Sequence, residues 1–344
     1  MKIVVLAGGL SPERDVSLSS GTMAVNALRG RGHKAILVDL FYGRDALPDP
    51  IELAFEEEGQ LPPRPVPETA PDLAAIRASR PEGFSDEIGN GVLELCRAAD
   101  ITYLGLHGGC GENGSLQAFL DLSDIHYTGS PSIGCAMAMD KFIGKQLLKA
   151  AGVPVPDGVL LRKGAVTDEN LLPVPCVVKP CCGGSSLGIS IVHDRAALHK
   201  ALEDAFAYEN EILVEEYIRG REITAGVLGG RALPLIEIVP KHGFYDYQHK
   251  YQPGWTEEIT PAPLDADLTQ KIQELAVRGF EALQLSVYGR LDFILDAQGN
   301  AFCLEANTLP GMTPTSLLPQ AAAAVGIDFP ELCCKIIKTS LEKY

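Results

Sequence analysis

Residues 287–312 read VYGRLDFILDAQGNAFCLEANTLPGM, and the rest of the chain is organised around their pattern. The period is two. Leu291, Phe293 and Leu295 alternate with Arg290, Asp292 and Ile294, and beyond DAQGN the alternation resumes as Phe302, Leu304 and Ala306 against Cys303, Glu305 and Asn307. This predicts two antiparallel strands joined at Gly299, through a two-residue loop (298–299) or a four-residue loop (297–300). Both loops place Asp292 opposite Glu305 and Arg290 opposite Asn307. Two carboxylates directly opposite repel unless a cation lies between them. Oxygen ligands at Asp292, Glu305 and Asn307 suit a hard cation such as Mg²⁺ that also holds phosphate oxygens, with Arg290 beside it to meet an anion. The plainer alternative is a solvated hairpin face with a surface ion pair.

Composition bounds the remaining choices. The chain has 344 residues, 46% hydrophobic and 22% charged, enough for two or three domains with sizeable cores. A formal net charge of −16 argues against nonspecific binding to nucleic acid or anionic membranes, so a phosphate-bearing ligand must be a small one held by local Lys and Arg. Nine cysteines without a C-x-x-C pair point to a reducing cytoplasm, with Cys181 and Cys182 open to a reactive role beside a glycine loop. The opening run IVVLA is too short for a secretory core, and no apolar run is long enough to span a bilayer.

Lys2 to Ala7 reads as a buried strand, Ser11 and Pro12 as the start of a helix, and AILVDL at 35–40 as the strand completing a β-α-β unit. The connecting loop GGLSPERD lacks G-x-G-x-x-G, so no dinucleotide site is expected. Glu13 and Arg14 either orient a charged substrate or serve as a helix-end charge arrangement. The proline-rich, acidic stretch 42–90 reads as an insertion, a surface elaboration or mobile loop without chemistry. His107, at a strand end before two glycines, is placed for a ligand contact or is a satisfied structural residue.

A helix from Asp140 to Ala151 should bury Ile143, Leu147 and Ala150. Lys141 in its first turn is either solvated or the partner of a phosphate at the positive end of the helix. Lys179, at the end of the apolar strand PCVVKP, needs an anionic partner, and the following loop (183–188, GGSSLG) offers amides and hydroxyls to phosphate oxygens or is a ligand-free glycine hairpin. It is not a Walker A loop, because its lysine lies upstream and it joins two strands. In EILVEEYIRGREITAGVL, backbone groups around Glu215 to Ile218 and the Glu222 carboxylate could hold adenine and ribose.

In this order the motifs resemble the D-alanine–D-alanine ligase family of the ATP-grasp superfamily. The matching stretches are GGLSPERDVSLSSG, LHGGCGENGSLQ, MDK at 139–141, VVKPCCGGSSLGIS, VEEYIRGREIT, FYDYQHKY at 244–251, GRLDFIL and LEANTLPGMTPTS, covering nearly the whole chain except 42–90. The resemblance implies an α/β (α+β) ATP-grasp fold in three domains: a parallel-sheet N-terminal domain (1–128), a central ATP-binding domain (129–219) and a C-terminal metal-binding domain (220–344), with ATP clasped between the last two. It implies ATP phosphates on Lys141, Lys179, Ser186 and Lys250, and adenine and ribose on Glu215, Ile218 and Glu222. Two Mg²⁺, or Mn²⁺ in their place, would sit on Asp292, Glu305 and Asn307. Glu13, with Ser185 and Tyr251, would bind the ammonium of the first D-alanine. Arg290, the Gly311 backbone and Ser316 would bind carboxylate or intermediate oxygens, with His107 and Leu317 near substrate.

The implied reaction is ATP-dependent ligation of two D-alanines for peptidoglycan precursor synthesis by a cytoplasmic enzyme, a homodimer as is usual in the family. The alternatives are a D-serine- or D-lactate-using ligase, another ATP-grasp carboxylate-amine ligase, and a nucleotide-binding regulatory module without turnover. Tyr251 and Leu317 favour D-alanine as second substrate. The departures are Cys181, Cys182 and Gly183, where charged or polar residues are usual, and Leu309 and Thr315 in the last motif.

Overall fold

Five apolar side chains in succession, Ile3 to Ala7, need cover on both faces, and β1 (Lys2–Ala7) obtains it as the middle strand of a parallel sheet. The computed structural model describes residues 1–67, 69–80, 87–165, 168–184, 188–241, 255–313 and 316–344. In the first sheet, α1 (Arg14–Gly30) leads to β2 (Lys34–Asp39) on one side of β1. Helices α2 (Leu73–Ala78) and α3 (Val92–Ala98) precede β3 (Ile101–Leu104) on the other side, and α4 (Ser115–Leu122) follows. The loops after β1 and β3 therefore leave from the same carboxyl edge, where parallel sheets present ligand-binding loops. Ser11 is not the helix cap. Its hydroxyl donates to the His107 carbonyl (2.6 Å) and ties those two loops together, while α1 starts after Glu13. The 42–90 stretch is more than surface: a 3₁₀ turn at Ile51–Glu56 inserts Phe55, 1% exposed, into the core beneath β1.

Two short helices follow, α5 (Ser132–Met139) and α6 (Lys141–Ala150). The second sheet is antiparallel, in the order β4 (Gly158–Arg162), β7 (Glu211–Glu216), β5 (Cys176–Pro180), β6 (Ser190–Val192), with α7 (Arg195–Tyr208) on one face. Alternation assigns Cys176, Val178, Ile212 and Val214 to the α7 side, which leaves Val177, Lys179 and Glu215 on the other. At 217–220 the chain passes to a third sheet, ordered β11 (Thr256–Ile259), β10 (Ile236–Pro240), β8 (Arg221–Leu228), β12 (Tyr288–Leu295), β13 (Ala301–Asn307), with β9 (Arg231–Ala232) on β8. Helix α8 (Ala266–Ala282) covers its apolar face. The last helices, α9 (Leu317–Ala323) and α10 (Phe329–Leu341), return to the N-terminal core, where α10 packs on α1.

The β12–β13 hairpin pairs Arg290 with Asn307 and Asp292 with Glu305, the register read from the sequence. The loop is neither of the two lengths expected. It spans the five residues Asp296 to Asn300, where the Asp296 carboxylate accepts from the Gln298 and Asn300 amides and Gly299 has φ +81°. The odd residue is absorbed at Leu304, a bulge that makes Phe293 pair with Cys303. Cys303 consequently lies in the core, 0% exposed, and not on the Glu305 face as simple alternation placed it.

Helix α6 also differs from its sequence reading. Lys141, Gly144, Lys145 and Leu148 are buried, whereas Ile143 is 47% exposed and Ala150 lies outside. The two lysines are drawn inward by carboxylates on the neighbouring sheets, Glu305 for Lys141 and Glu215 for Lys145.

Candidate active site

The uncovered faces of the second and third sheets look into a cleft closed on a third side by the loops after β1 and β3. Three cavities share the Glu305 side chain as part of their wall, and two of them gather the polar residues expected from the sequence. The first, about 870 Å³ and open to solvent, is lined by Glu13, His107, Glu112, Lys141, Gly183, Gly184, Arg290, Asn307, Gly311, Ser316 and Leu317. The second is lined by Lys179, Glu215, Ile218, Glu222 and Asp292, with Val177, Ile189, Ile191, Tyr217, Ile294 and Leu304 forming an apolar slot. Its mixture of flat apolar walls and a few converging polar groups is that of a small-molecule site. Of the residues singled out in the sequence, Ser185, Ser186, Lys250 and Tyr251 lie outside the described residues, as does Thr315; the other expected ligand contacts border one of these two cavities or both, whereas Arg14, paired with Asp39, and Cys181 and Cys182 border neither of the two.

Asp292 and Glu305 share a face, as their pairing requires, and Lys179 borders the same cavity. The cations that accompany the two acids belong to the chain itself. Arg290 donates from Nε and Nη2 to the two oxygens of Asp292, both at 2.9 Å, and Thr224 Oγ1 (2.6 Å) and Asn307 Nδ2 (3.0 Å) also donate to that carboxylate. Lys141 Nζ lies 3.4 Å from Glu305. The opposed acids thus do not by themselves demand a metal, which corrects the inference drawn from their register.

The donor set nevertheless fits a hard cation. Two carboxylates and an amide on one face match the sparse protein ligation of Mg²⁺, which takes its remaining oxygens from phosphate and water. Among the described residues no group of three or more His, Cys, Asp or Glu converges as a metal cage.

Lys141 starts α6 beneath the Asp140 cap, with its amide bonded to the Cys181 carbonyl (2.9 Å) and its ammonium donating to Gly183 O (2.7 Å). Helix start and glycine loop are thereby fixed to one another. Lys179 Nζ lies 2.5 Å from Glu215 Oε2, both almost wholly buried. Burial works to raise the Glu215 carboxyl, but Lys179 and Lys145 outweigh it and hold the pKa below its ordinary value. Burial and the Lys179 charge push the Lys145 ammonium down to about 8.

In the first cavity the Glu13 carboxylate nestles between glycines: a side chain at Gly108 or Gly184 would come within 3.2 or 3.3 Å of it. The closeness brings the central loop against the N-terminal one, and at Gly108 a φ of +67° also favours glycine. Glu112 went unnoticed in the sequence. It lines this cavity with His107 3.9 Å away, and burial, aided by the Glu13 charge, pushes its carboxyl up to about 8. The available signal was its place in the same HGGCGENG loop as His107. Ser316 Oγ accepts from the Thr313 amide (2.9 Å), and a Cβ at Gly311 would meet it at 2.7 Å, so Gly311 and Thr313 lie close against the hydroxyl.

Comparison with known proteins places the chain in a family. Residues 2–130 match the family model described as D-ala D-ala ligase N-terminus, and residues 147–338 match D-ala D-ala ligase C-terminus. The chain is 44% identical over 341 residues to the D-alanine–D-alanine ligase of Pediococcus pentosaceus, covering 98% of this chain and 97% of the relative. Among solved structures, D-alanine–D-alanine ligase from Bacillus anthracis complexed with ATP superposes with a TM-score of 0.77 at 30% identity, covering 100% of this chain and 98% of that one. The VanG D-Ala:D-Ser ligase from Enterococcus faecalis gives a TM-score of 0.75 at 28% identity, with 98% and 99% covered.

Proposed function

Because the chain belongs to the D-alanine–D-alanine ligase family, with its ATP-grasp fold, we propose that it joins two D-alanines at the expense of ATP, for peptidoglycan precursor synthesis. The observation that carries this reading is the double exposure of Glu305, which borders an apolar slot floored by Lys179 on one side and a carboxylate- and arginine-lined cavity on the other. Nucleotide in the apolar slot and amino acid in the arginine-lined cavity would meet at that side chain. In this reading ATP transfers its γ-phosphoryl group to the carboxylate of one D-alanine and leaves as ADP. The amine of a second D-alanine, having lost a proton, attacks the acyl phosphate; the tetrahedral intermediate then expels phosphate and leaves the peptide bond.

Both steps gather negative charge, so the chain's task is positioning and charge compensation. Lys179 and Lys141 would hold phosphate oxygens, together with Ser186 and Lys250. Ile218, Glu215 and Glu222 would hold adenine and ribose along the slot. Glu13, with Ser185 and Tyr251, would take the ammonium of the first D-alanine, while Arg290, the Gly311 amide and Ser316 face its carboxyl oxygens, with His107 and Leu317 alongside. Asp292, Glu305 and Asn307 would hold Mg²⁺ or Mn²⁺, two ions in all, which when bound neutralise phosphate charge. We further read the chain as three domains, 1–128, 129–219 and 220–344, in a cytoplasmic homodimer.

ADP release measured with D-alanine, L-alanine, D-serine and D-lactate, with product mass, tests the proposal. D-alanyl-D-alanine should dominate. A depsipeptide or a mixed D-alanyl-D-serine product would move the assignment to another member of the family, and ADP release only with an unrelated amine would overturn it.

A further inference from the structure

Helix α6 buries two lysines one turn apart, and only the first borders the cleft. Lys145 is 4% exposed and is not among the residues lining either cavity. Its ammonium lies 2.6 Å from Glu215 Oε1 and 3.3 Å from the carbonyl oxygen of Cys303 on β13, while the other Glu215 oxygen contacts Lys179. Two ammonium groups thus share one carboxylate, and none of the three is more than 6% exposed.

A single lysine would have satisfied Glu215. The second leaves a buried excess of one positive charge, which is unfavourable in the empty protein unless an anion stands next to it. Solvated pairs such as Lys149–Asp157, with side chains 64% and 79% exposed, carry no such consequence. The outlet for the excess is Lys179, since Lys179 borders the second cavity and Lys145 does not.

We infer that Lys145 is a positioning residue for a polyphosphate: by occupying Glu215 it leaves the charge of Lys179 unneutralised toward the cleft, and through the Cys303 carbonyl it ties α6 to the strand bearing Glu305. The inference rests on the nucleotide reading of the second cavity. Without Lys145, Glu215 and Lys179 form a neutral pair, and the cleft loses attraction for phosphate but not for adenine.

Calorimetric binding of ATP and of adenosine, without amino acid, separates these effects in wild type, Lys145→Met, Lys145→Arg and Lys145→Met/Glu215→Gln. Lys145→Met should lower the ATP-to-adenosine affinity ratio by about tenfold or more, as expected for one poorly screened charge near a polyanion. Lys145→Arg should keep the ratio near that of wild type. In the double variant Glu215 no longer neutralises Lys179, so the ratio should recover even where absolute affinities fall. An unchanged ratio in folded Lys145→Met, equal losses for both ligands, or no recovery in the double variant would overturn the inference. Should Lys145→Met not fold, Glu215→Gln alone decides: it must raise the ratio, and a flat ratio overturns the claim. Wild-type protein that fails to bind ATP would sink the nucleotide reading and this inference with it.

Discussion

The Nδ1 atom of His107 stands 3.0 Å from the carbonyl oxygen of Leu309, two hundred and two positions downstream. A carbonyl can only accept, so Nδ1 carries the proton, and Nε2, 3.0 Å from Ser20 Oγ, accepts from that hydroxyl in the neutral ring. Burial lowers the His107 pKa against the opposing pull of Glu13. His107, which the sequence left as either a ligand contact or a satisfied structural residue, has both ring nitrogens engaged by the protein. It is a strut between the loop after β3 and the loop after β13.

Nitrogen-15 spectra of the imidazoles should therefore show His107 protonated at Nδ1 alone at neutral pH, and still neutral somewhat below pH 6.5, the ordinary midpoint. A doubly protonated ring at pH 7 would contradict the strut. His107→Ala should lower turnover by about tenfold to a hundredfold through misplacement of Leu309 and the adjoining Gly311, with ATP affinity nearly unchanged.

Arg290 is engaged by Asp292 through two parallel hydrogen bonds and borders the first cavity as well. Arg290→Ala should leave ATP binding largely intact and remove most turnover, on the order of a hundredfold or more. Arg290→Lys should rescue little, because an ammonium cannot reproduce the planar fork. Turnover that survives the alanine change would remove Arg290 from its assigned role.

The hairpin was legible because a period of two leaves few registers, and the pairing of Asp292 with Glu305 followed from it. Its loop was not, because alternation is blind to a bulge, and the extra residue at Leu304 moved Cys303 to the opposite face. The buried face of α6 was misread for a different reason. Periodicity ranks apolar residues, whereas Lys141 and Lys145 are held inside by acids 164 and 70 residues away, Glu305 and Glu215, which no local pattern contains. Phe55 was lost among prolines and acids that resemble a loop, although it packs in the first core. Glu112 carries no sequence signal beyond sharing a loop with His107, and only folding sets it beside His107 and Glu13 in one cavity.

Glu112 makes a pH prediction whose sign is fixed. Its carboxyl is raised from 4.5 to about 8, so between these values the folded protein holds a proton that the unfolded chain has released. Stability contributed at this site is therefore greatest below pH 4.5 and declines as pH rises to about 8. Glu112→Gln, a neutral isostere, should gain stability over the parent progressively across that window in ligand-free denaturant titrations. A constant difference between the two proteins from pH 5 to pH 8 would mean that Glu112 is already ionised throughout.

Gly220, in the connection between the second and third sheets, gives a steric prediction. A Cβ there would lie 2.2 Å from the Leu295 carbonyl oxygen and 2.8 Å from Ile294 Cγ2, and the first of these is backbone that cannot rotate aside. The strand that must yield is β12, which carries Asp292 and pairs Ile294 with Glu222 at the apolar slot. Gly220→Ala should cost about 1–3 kcal/mol in chemical denaturation and raise KM for ATP more than KM for D-alanine. Gly30→Ala supplies the control, because nothing lies within 4 Å of its would-be Cβ at the end of α1. Helix propensity should make that change neutral or stabilising by up to about 1 kcal/mol. Equal effects from the two substitutions would show that the approach of residue 220 to β12 does not position the slot.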